Sequence, residues 1–511
     1  MLLSLGLLAG LSGTITAQEA VPKIPLPLPV QTTEAKNLPG DQTSIASPAK
    51  SSIENANVPT VKKDPGIPTP TLLPVHHYEP LAESKVVTVI PAPEGPSPHP
   101  FTASYKYNGF GGFTSLESDN FTLAFQNQIT LDGTFHNFAN PPTIEQGFNI
   151  PFLRSYVYGN ILQDWEYLIS TQFFINTFGI LDMYGGYKIN DSFNIRAGHF
   201  LSPFLYEYYA FSPAWEPVIT NSPLFQLAGK RQTGIMAWGQ LFEKHVQYQA
   251  GVFNGPNGAY FDLDNFVDFI GSIAYVPFKG LGPDSIWNSL GFGVSMQTGK
   301  QRYNLAAGVP GAEFGNGEPT TNSNFIGSTG IPFFAYNPNV NADGMRTKVA
   351  PQFFWLGQFS LMAEYVFWNR TLSDPTHSRV IEVLNGWEAT ASYFLTGEKY
   401  SGDGLGGFTT IVPNSPFIPS KGMYGTGAWE LTAQYSQLQI DGNVVDLGMV
   451  QQGVSATRLN QLMVGMNWWP NRYTRISLDW MNAKTNQAVD MGNGNYKDGY
   501  SVYWGRLAMF F

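Results

Sequence analysis

The feature that most narrows the fold is a period of two in hydrophobicity that returns along most of the chain. Phe121, Leu123, Phe125, Ile129, Leu131 and Phe135 share one parity, while Thr122, Gln126, Gln128, Thr130, Asp132 and Thr134 share the other. Successive side chains leave a pleated strand on opposite faces, so this is the signature of a β-strand between two unlike environments. It recurs with Leu290, Phe292, Val294 and Met296 against Ser289, Ser295 and Gln297. It recurs again with Trp429, Leu431, Ala433 and Tyr435 against Glu430, Thr432, Gln434 and Ser436, and with Ile476, Leu478 and Trp480 against Arg475, Ser477 and Asp479. The last stretch, Tyr500 to Phe511, sets Tyr503, Gly505, Leu507, Met509 and Phe511 against Trp504, Arg506, Ala508 and Phe510. An edge strand this apolar would drive aggregation in water. In a closed membrane barrel it pairs with the first strand and turns its apolar face to lipid. The expected arrangement is apolar outward and polar inward, the inverse of a soluble barrel.

Composition agrees. Hydrophobic residues make up 43% and aromatics 14%, but charged residues only 13%, where a water-facing surface calls for about 25%. Beyond the first residues no run of about 18 apolar positions marks a helical span. The 53 Gly suit tight turns and close interior packing. Without Cys there is neither a disulfide frame nor a thiolate metal site, and a net charge of −10 argues against a nucleic-acid partner. The fold expected is all-β, a 16-stranded antiparallel transmembrane β-barrel.

Three segments are expected in chain order. Residues 1–17 have the apolar core and small-residue ending of a signal peptide, with Ile15-Thr16-Ala17 as cleavage site. The usual basic start is missing, which points to a first Met inside a longer leader. Residues 18–100 hold nearly half of the 37 Pro and read as a disordered, extended linker in the periplasm. A spacer is the favoured role for it, with cell-wall contact as the alternative. Residues 101–511 form the barrel. Its strands fall near 121–135, 147–162, 165–175, 180–188, 192–201, 229–240, 244–254, 266–277, 286–298, 347–356, 359–369, 384–396, 426–440, 457–469, 472–484 and 499–511. Short turns follow the even strands, at Gln163-Asp164, Asn190-Asp191, Gln240 to Glu243, Gly357 and Pro470-Asn471. Long loops follow odd ones: 202–228, 299–346, 441–456 and 485–498. Barrels of bacterial outer membranes alternate periplasmic turns and external loops in this way. The connection 397–425 breaks the rule, and the sequence offers no reason for it. Trp165, Tyr167, Trp355, Trp368, Trp468, Trp469 and Tyr473 cluster near strand ends, where interfacial girdles belong.

These residues resemble the phosphate-selective porin O and P family of bacterial outer membranes. The likeness runs through Asn120-Phe121 to Leu131-Asp132-Gly133, and Arg154 to Trp165 with Gly159. Gly198-His199-Phe200-Leu201-Ser202-Pro203-Phe204 with Glu207 is similar to the family's G-x-F-x-x-P-F-x-x-E segment. It continues in Gly251 to Gly255, Ala363-Glu364-Tyr365, Leu395 to Glu398, Gly427 to Leu431, Asn467-Trp468 and the closing Arg506-Leu507 with Phe511. The terminal aromatic also resembles the signal read by the outer-membrane assembly machinery. The resemblance implies a sixteen-stranded pore, a homotrimer, passing small anions or other small hydrophilic solutes.

A pore selects through the charge and width of its constriction. The long loop 202–228 is the natural segment to fold inward; it carries Pro203, Phe204, Tyr206, Glu207, Trp215 and Glu216, with Lys230-Arg231 at its exit. Arg154, Arg196, Arg475 and Arg506 have inward parity, but so do Asp132, Glu364, Glu388, Glu430 and Asp479. The wall is mixed in sign, and Arg154 stands alone where phosphate-specific members of the family carry an adjacent pair. For each charge a wall hydrogen bond or ion pair is the favoured role; the sharper reading has Arg154, Arg196 and Lys230-Arg231 biasing permeation toward anions.

Other classes fit less well. An enzyme needs a nucleophile, a base and an orienting group together. His76, His77 and His99 sit in the linker, His136, His245 and His377 near loops or turns, and the parity His199 shares with Phe193, Ile195 and Ala197 points it to lipid or the subunit interface. No His pair has ligand spacing on a strand, so no metal or cofactor is expected. A structural barrel that anchors the envelope through its Pro-rich arm is the alternative function.

Overall fold

The computed structural model describes residues 86–89, 102–107, 112–118, 120–136, 146–151, 153–174, 177–210, 216–255, 262, 264–282, 285–305, 333–400, 411–491 and 494–511. The expected leader, most of the Pro-rich segment and Trp215 lie outside the described residues.

Sixteen antiparallel strands close into a barrel: β1 Phe121–His136, β2 Leu153–Ile161, β3 Trp165–Phe174, β4 Thr177–Asn190, β5 Phe193–Leu201, β6 Arg231–Leu241, β7 Val246–Phe253 and β8 Asp268–Tyr275. Then come β9 Gly291–Asn304, β10 Asn341–Trp355, β11 Phe359–Ser373, β12 Val380–Phe394, β13 Ala428–Ile440, β14 Arg458–Asn471, β15 Thr474–Asp490 and β16 Tyr496–Phe510. Each strand pairs with its successor, and β16 returns to β1 from Val502↔His136 to Phe510↔Gln128. All sixteen expected strands are present in the expected order. The bounds differ: strands expected to begin at 347 and 384 begin at Asn341 and Val380, and β11 runs on to Ser373. The strand expected at 147–162 is broken, with Gly147–Asn149 pairing separately with β1 before β2 begins.

Closure leaves little free edge at the seam. The Asn127 N–H donates to the Phe511 carbonyl at 2.5 Å, and the Phe511 N–H to the Asn127 carbonyl at 3.1 Å. Past that point the β1 edge at Phe121–Phe125 is taken by Gly112–Ser118, which pairs with Thr102–Tyr107, and that segment with Val86–Val89. Among the described residues no helix is long and apolar enough to cross a membrane, which says nothing against crossing by strands.

The parity of the sequence becomes two surfaces. Leu431 is 45% exposed on the outside, whereas Glu430 beside it is fully buried; Phe125 and Gln126 divide in the same way. A broad apolar exterior with backbone groups paired around a closed ring is what a bilayer requires. The bore, expected to be hydrophilic throughout, is not. Val366, Trp368, Leu384, Leu438, Leu459, Met463, Met481, Val502 and Trp504 also point inward and are buried. They pack in one cluster with loop segments that enter the barrel, including Phe333, Phe334, Tyr336, Met449 and Val450. Apolar inner residues thus mark where a loop, rather than water, lies against the wall. The expected girdle is corrected for the same reason: Trp165, Tyr167, Trp355, Trp468 and Tyr473 reach the outer surface, but Trp368 and Trp469 are buried inside.

The long β12–β13 connection now has a physical account. Its described ends are held against the inner wall, with Tyr400 and Ile411 buried among Phe354, Phe394, Trp469 and Phe510. The Tyr400 N–H donates to the Gly357 carbonyl at 3.0 Å, and the Asn414 N–H to the Glu398 carboxylate at 2.8 Å. A second long connection on the same side, 276–290, joins β8 to β9.

Candidate functional site

The site is the bore and the segment that crosses it. Within β5 the pleat breaks at Gly198, whose φ is +140°; a Cβ there would lie 2.3 Å from the Met183 carbonyl oxygen. The break puts His199 and Phe200 both into buried positions. His199, expected to face lipid or the subunit interface, is covered within the chain, its Nδ1 3.1 Å from the Thr233 hydroxyl. The described parts of residues 202–230, here loop 3, are 202–210 and 216–230; both are buried inside the barrel, and the chain continues into β6.

Loop 3 has few regular hydrogen bonds of its own, so its backbone must be satisfied by the wall. Carboxylates take its N–H groups. Glu364 on β11 accepts from Tyr206 at 2.7 Å and Glu207 at 3.3 Å, at the start of the short helix Tyr206–Tyr209. Asp479 on β15 accepts from Ile219 at 2.6 Å. Cations and amides take its carbonyls: Arg475 donates to Glu216 at 2.7 Å, Arg506 to Ile219 at 2.9 Å, Lys348 to Leu227 at 2.8 Å and Asn467 to Pro217 at 2.7 Å. Glu207 accepts from the Ser222 N–H at 2.6 Å and its hydroxyl at 2.5 Å within the loop, and from Gln434 on β13 at 3.1 Å. Burial raises the Glu207 carboxyl above its ordinary range; it lifts Glu216 well above, with neighbouring Glu207 adding to the shift. Phe204, Leu205, Leu224, Phe225 and Leu227 supply the apolar packing, against Tyr184 and Phe200 among others.

Most of the wall charge is paired. Arg506 meets Asp132 through two bonds of 2.7 Å; Arg196 meets Glu166 at 2.8 Å and lies 4.1 Å over the Tyr184 ring. Arg231 meets Asp182 at 3.0 Å, Arg370 meets Glu382 at 2.6 Å, and Arg346 pairs with Asp268. Arg154 donates to Gln172, Glu430 accepts from Asn467 at 2.8 Å, and Glu388 accepts from Thr390 at 2.8 Å. Lys230 lies 5.4 Å from the Phe225 ring.

Every described charged residue expected inward is therefore inward and buried: Arg154, Arg196, Lys230, Arg231, Arg475, Arg506, Asp132, Glu364, Glu388, Glu430 and Asp479. Of the loop residues, Pro203, Phe204, Glu207 and Glu216 are buried inside the barrel. Sequence reading passed over Arg346, Lys348, Arg370, Glu166, Asp182, Asp268 and Glu382. Arg346, Arg370 and Glu382 lie just beyond the strand ends as drawn from sequence; the others lie within expected strands, where inward parity alone would have found them.

Among the described residues no three of His, Cys, Asp and Glu are arranged to hold a metal ion. Porin O of Pseudomonas aeruginosa is 26% identical over 147 residues, covering 28% of this chain and 31% of that protein, so the match spans about a third of the relative's length. Among solved structures, the outer membrane channel DcaP of Acinetobacter baumannii aligns with a TM-score of 0.48 at 10% identity, over 77% of this chain and 98% of its own. An anion-selective porin from Comamonas acidovorans aligns at 0.44 and 10%, over 76% of this chain and 100% of its own. The model of the family described as phosphate-selective porin O and P matches residues 125–496, from the first barrel strand into the last. The chain belongs to the phosphate-selective porin O and P family.

Proposed function

We propose that the chain forms a water-filled channel in the bacterial outer membrane, through which small hydrophilic solutes diffuse passively. The observation that carries this reading is loop 3: a long segment drawn across a lipid-coated cylinder and held there by charged wall residues, which makes a constriction. The charged inner residues and loop 3 are then the pore lining. Assembly as a homotrimer is the arrangement the family resemblance supports, with residues 18–100 in the periplasm. Retention of residues 18–100 on purified peptidoglycan would support their contact with the cell wall; a repeated failure to bind leaves a spacer.

Anions such as phosphate are the solutes the family resemblance favours. Arg196, Arg231 and Arg506 are each engaged by a carboxylate, which cancels much of their field. An anion preference then rests on Arg475 and Lys348, whose hydrogen bonds go to loop carbonyls. Reversal potentials in planar bilayers under a potassium chloride gradient test it. Anion preference is expected, weakened in Lys348→Gln; cation preference in the unmodified protein would refute the bias, and absence of any conductance would refute the channel.

A further inference from the structure

Three carboxylates meet in the bore without a cation. Glu364 and Glu388 stand directly opposite each other on β11 and β12, both on the inner face. The Glu207 N–H donates to Glu364, and the Glu207 carboxylate accepts from Gln434 on β13 at 3.1 Å. All three are buried, and among the described residues no Lys or Arg lies within ion-pair distance of any of them. The other wall carboxylates just described either pair with an Arg or, like Asp479 and Glu430, lie within electrostatic reach of Arg475.

What surrounds this group is equally telling. Glu388 Oε1 has no hydrogen-bond partner, although Thr390 reaches Oε2. Ser436 faces Glu388 across β12 and β13, fully buried, and its hydroxyl oxygen is also unpartnered. Gln434 spends its amide N–H groups on Glu207 and Thr390, leaving its own carbonyl oxygen unpartnered. The Gln434 oxygen only accepts, the Glu388 oxygen only accepts when its carboxyl is ionised, and the Ser436 hydroxyl accepts as readily as it donates. A buried carboxylate group with spare acceptors costs free energy unless a donor or a positive charge meets it. A helix N-terminus or a loop backbone does not supply one here, because the Tyr206 and Glu207 N–H groups are already spent on Glu364.

We propose that Glu207, Glu364 and Glu388, with Gln434 and Ser436, form a binding site in the bore for the ammonium group of a permeating organic cation. The absence of a metal-holding arrangement among the described residues favours an organic ammonium over a metal ion. A metal ion needs oxygens converging at a fixed short distance, whereas an alkylammonium brings three divergent N–H donors that suit dispersed acceptors. The site rests on the channel reading, and it uses a different part of the wall from Arg475 and Lys348.

The test uses the full-length protein in planar bilayers, with 1,4-diaminobutane as the probe and butane-1,4-diol as its uncharged match. Diaminobutane should reduce potassium chloride conductance in a saturable way while the diol does not. Glu388→Gln removes one charge-assisted acceptor and should raise the half-blocking concentration about tenfold; Ser436→Ala should raise it less. Equal effects of diamine and diol on the unmodified protein would overturn the proposal, and so would an unchanged half-blocking concentration in Glu388→Gln. Where Glu388→Gln fails to assemble, Glu388→Asp and the diamine–diol comparison decide the matter. A protein with no conductance at all would sink the channel reading instead.

Discussion

The seam between the first and last strands gives the sharpest quantitative prediction. Asp132 on β1 and Arg506 on β16 are paired directly in register, and both are buried. Asp132 accepts two bonds from the Arg506 guanidinium at 2.7 Å and one from Trp504 Nε1 at 2.9 Å. Asp132→Ala therefore strips three charge-assisted bonds and leaves the buried Arg506 guanidinium, which also donates to the Ile219 carbonyl, without its paired carboxylate. At the low end of about 1.5 kcal/mol for each such bond the loss is about 4.5 kcal/mol. That agrees with the roughly 3–5 kcal/mol expected when one partner of a buried ion pair is removed. Asp132→Asn keeps the shape and should cost about half as much. The double variant Asp132→Ala, Arg506→Ala removes both charges, so its cost should fall short of the sum of the singles by about 1–3 kcal/mol. Equilibrium unfolding in guanidinium from lipid vesicles, followed by Trp fluorescence, measures all four. A loss under about 1 kcal/mol in Asp132→Ala, or strict additivity, would refute the assignment of this pair as the lock of the barrel. Conductance gives a second separation. Arg506 also grips loop 3, so Arg506→Ala should alter single-channel current where Asp132→Ala leaves it nearly unchanged.

Two further outcomes follow from backbone and lipid. Gly198→Ala places a Cβ 2.3 Å from the Met183 carbonyl and 2.6 Å from Tyr184 Cα, at a φ that side chains rarely adopt; it should cost about 1–3 kcal/mol, and it is expected to reduce the heat-resistant folded band on a gel. Gly179→Ala meets nothing within 4 Å and is the control; equal losses in the two would refute the argument. Phe367→Lys, on the outer face near the middle of β11, should cost about 2–4 kcal/mol in bilayer unfolding; no change would mean that this face does not meet lipid.

The barrel was legible because its cause is local. Lipid outside and a different medium inside act on every second residue, so the parity of Phe121 to Phe135 survives without knowledge of any partner strand. Strand ends were less legible, since beyond the lipid both faces are polar or covered and the alternation loses its contrast. Arg370 and Glu382 show the consequence. They sit past the ends drawn from sequence, and their 2.6 Å ion pair on the inner face went unseen. Trp368 shows the converse. An aromatic near a strand end suggests a girdle, but its parity matched the inward Arg370, and in the structure it lies 4.4 Å under the Lys348 ammonium.

The bore itself was half legible, and the missing half has one physical origin. Parity assigns a charge to the inner face but cannot say what it meets there, because the partner on loop 3 is often a backbone group with no residue-type signature. Glu364 and Asp479 hold N–H groups of Tyr206 and Ile219, while Lys348 and Arg475 hold the carbonyls of Leu227 and Glu216. Each of these side chains spends its charge on keeping a segment in place before it acts on any solute. Removing one should therefore move loop 3 as well as the field, widening the path while changing its sign. Selectivity changes in such variants carry meaning only alongside single-channel conductance. A shift in ion preference at constant conductance reports a charge facing the solute; a shift with rising conductance reports an anchor released.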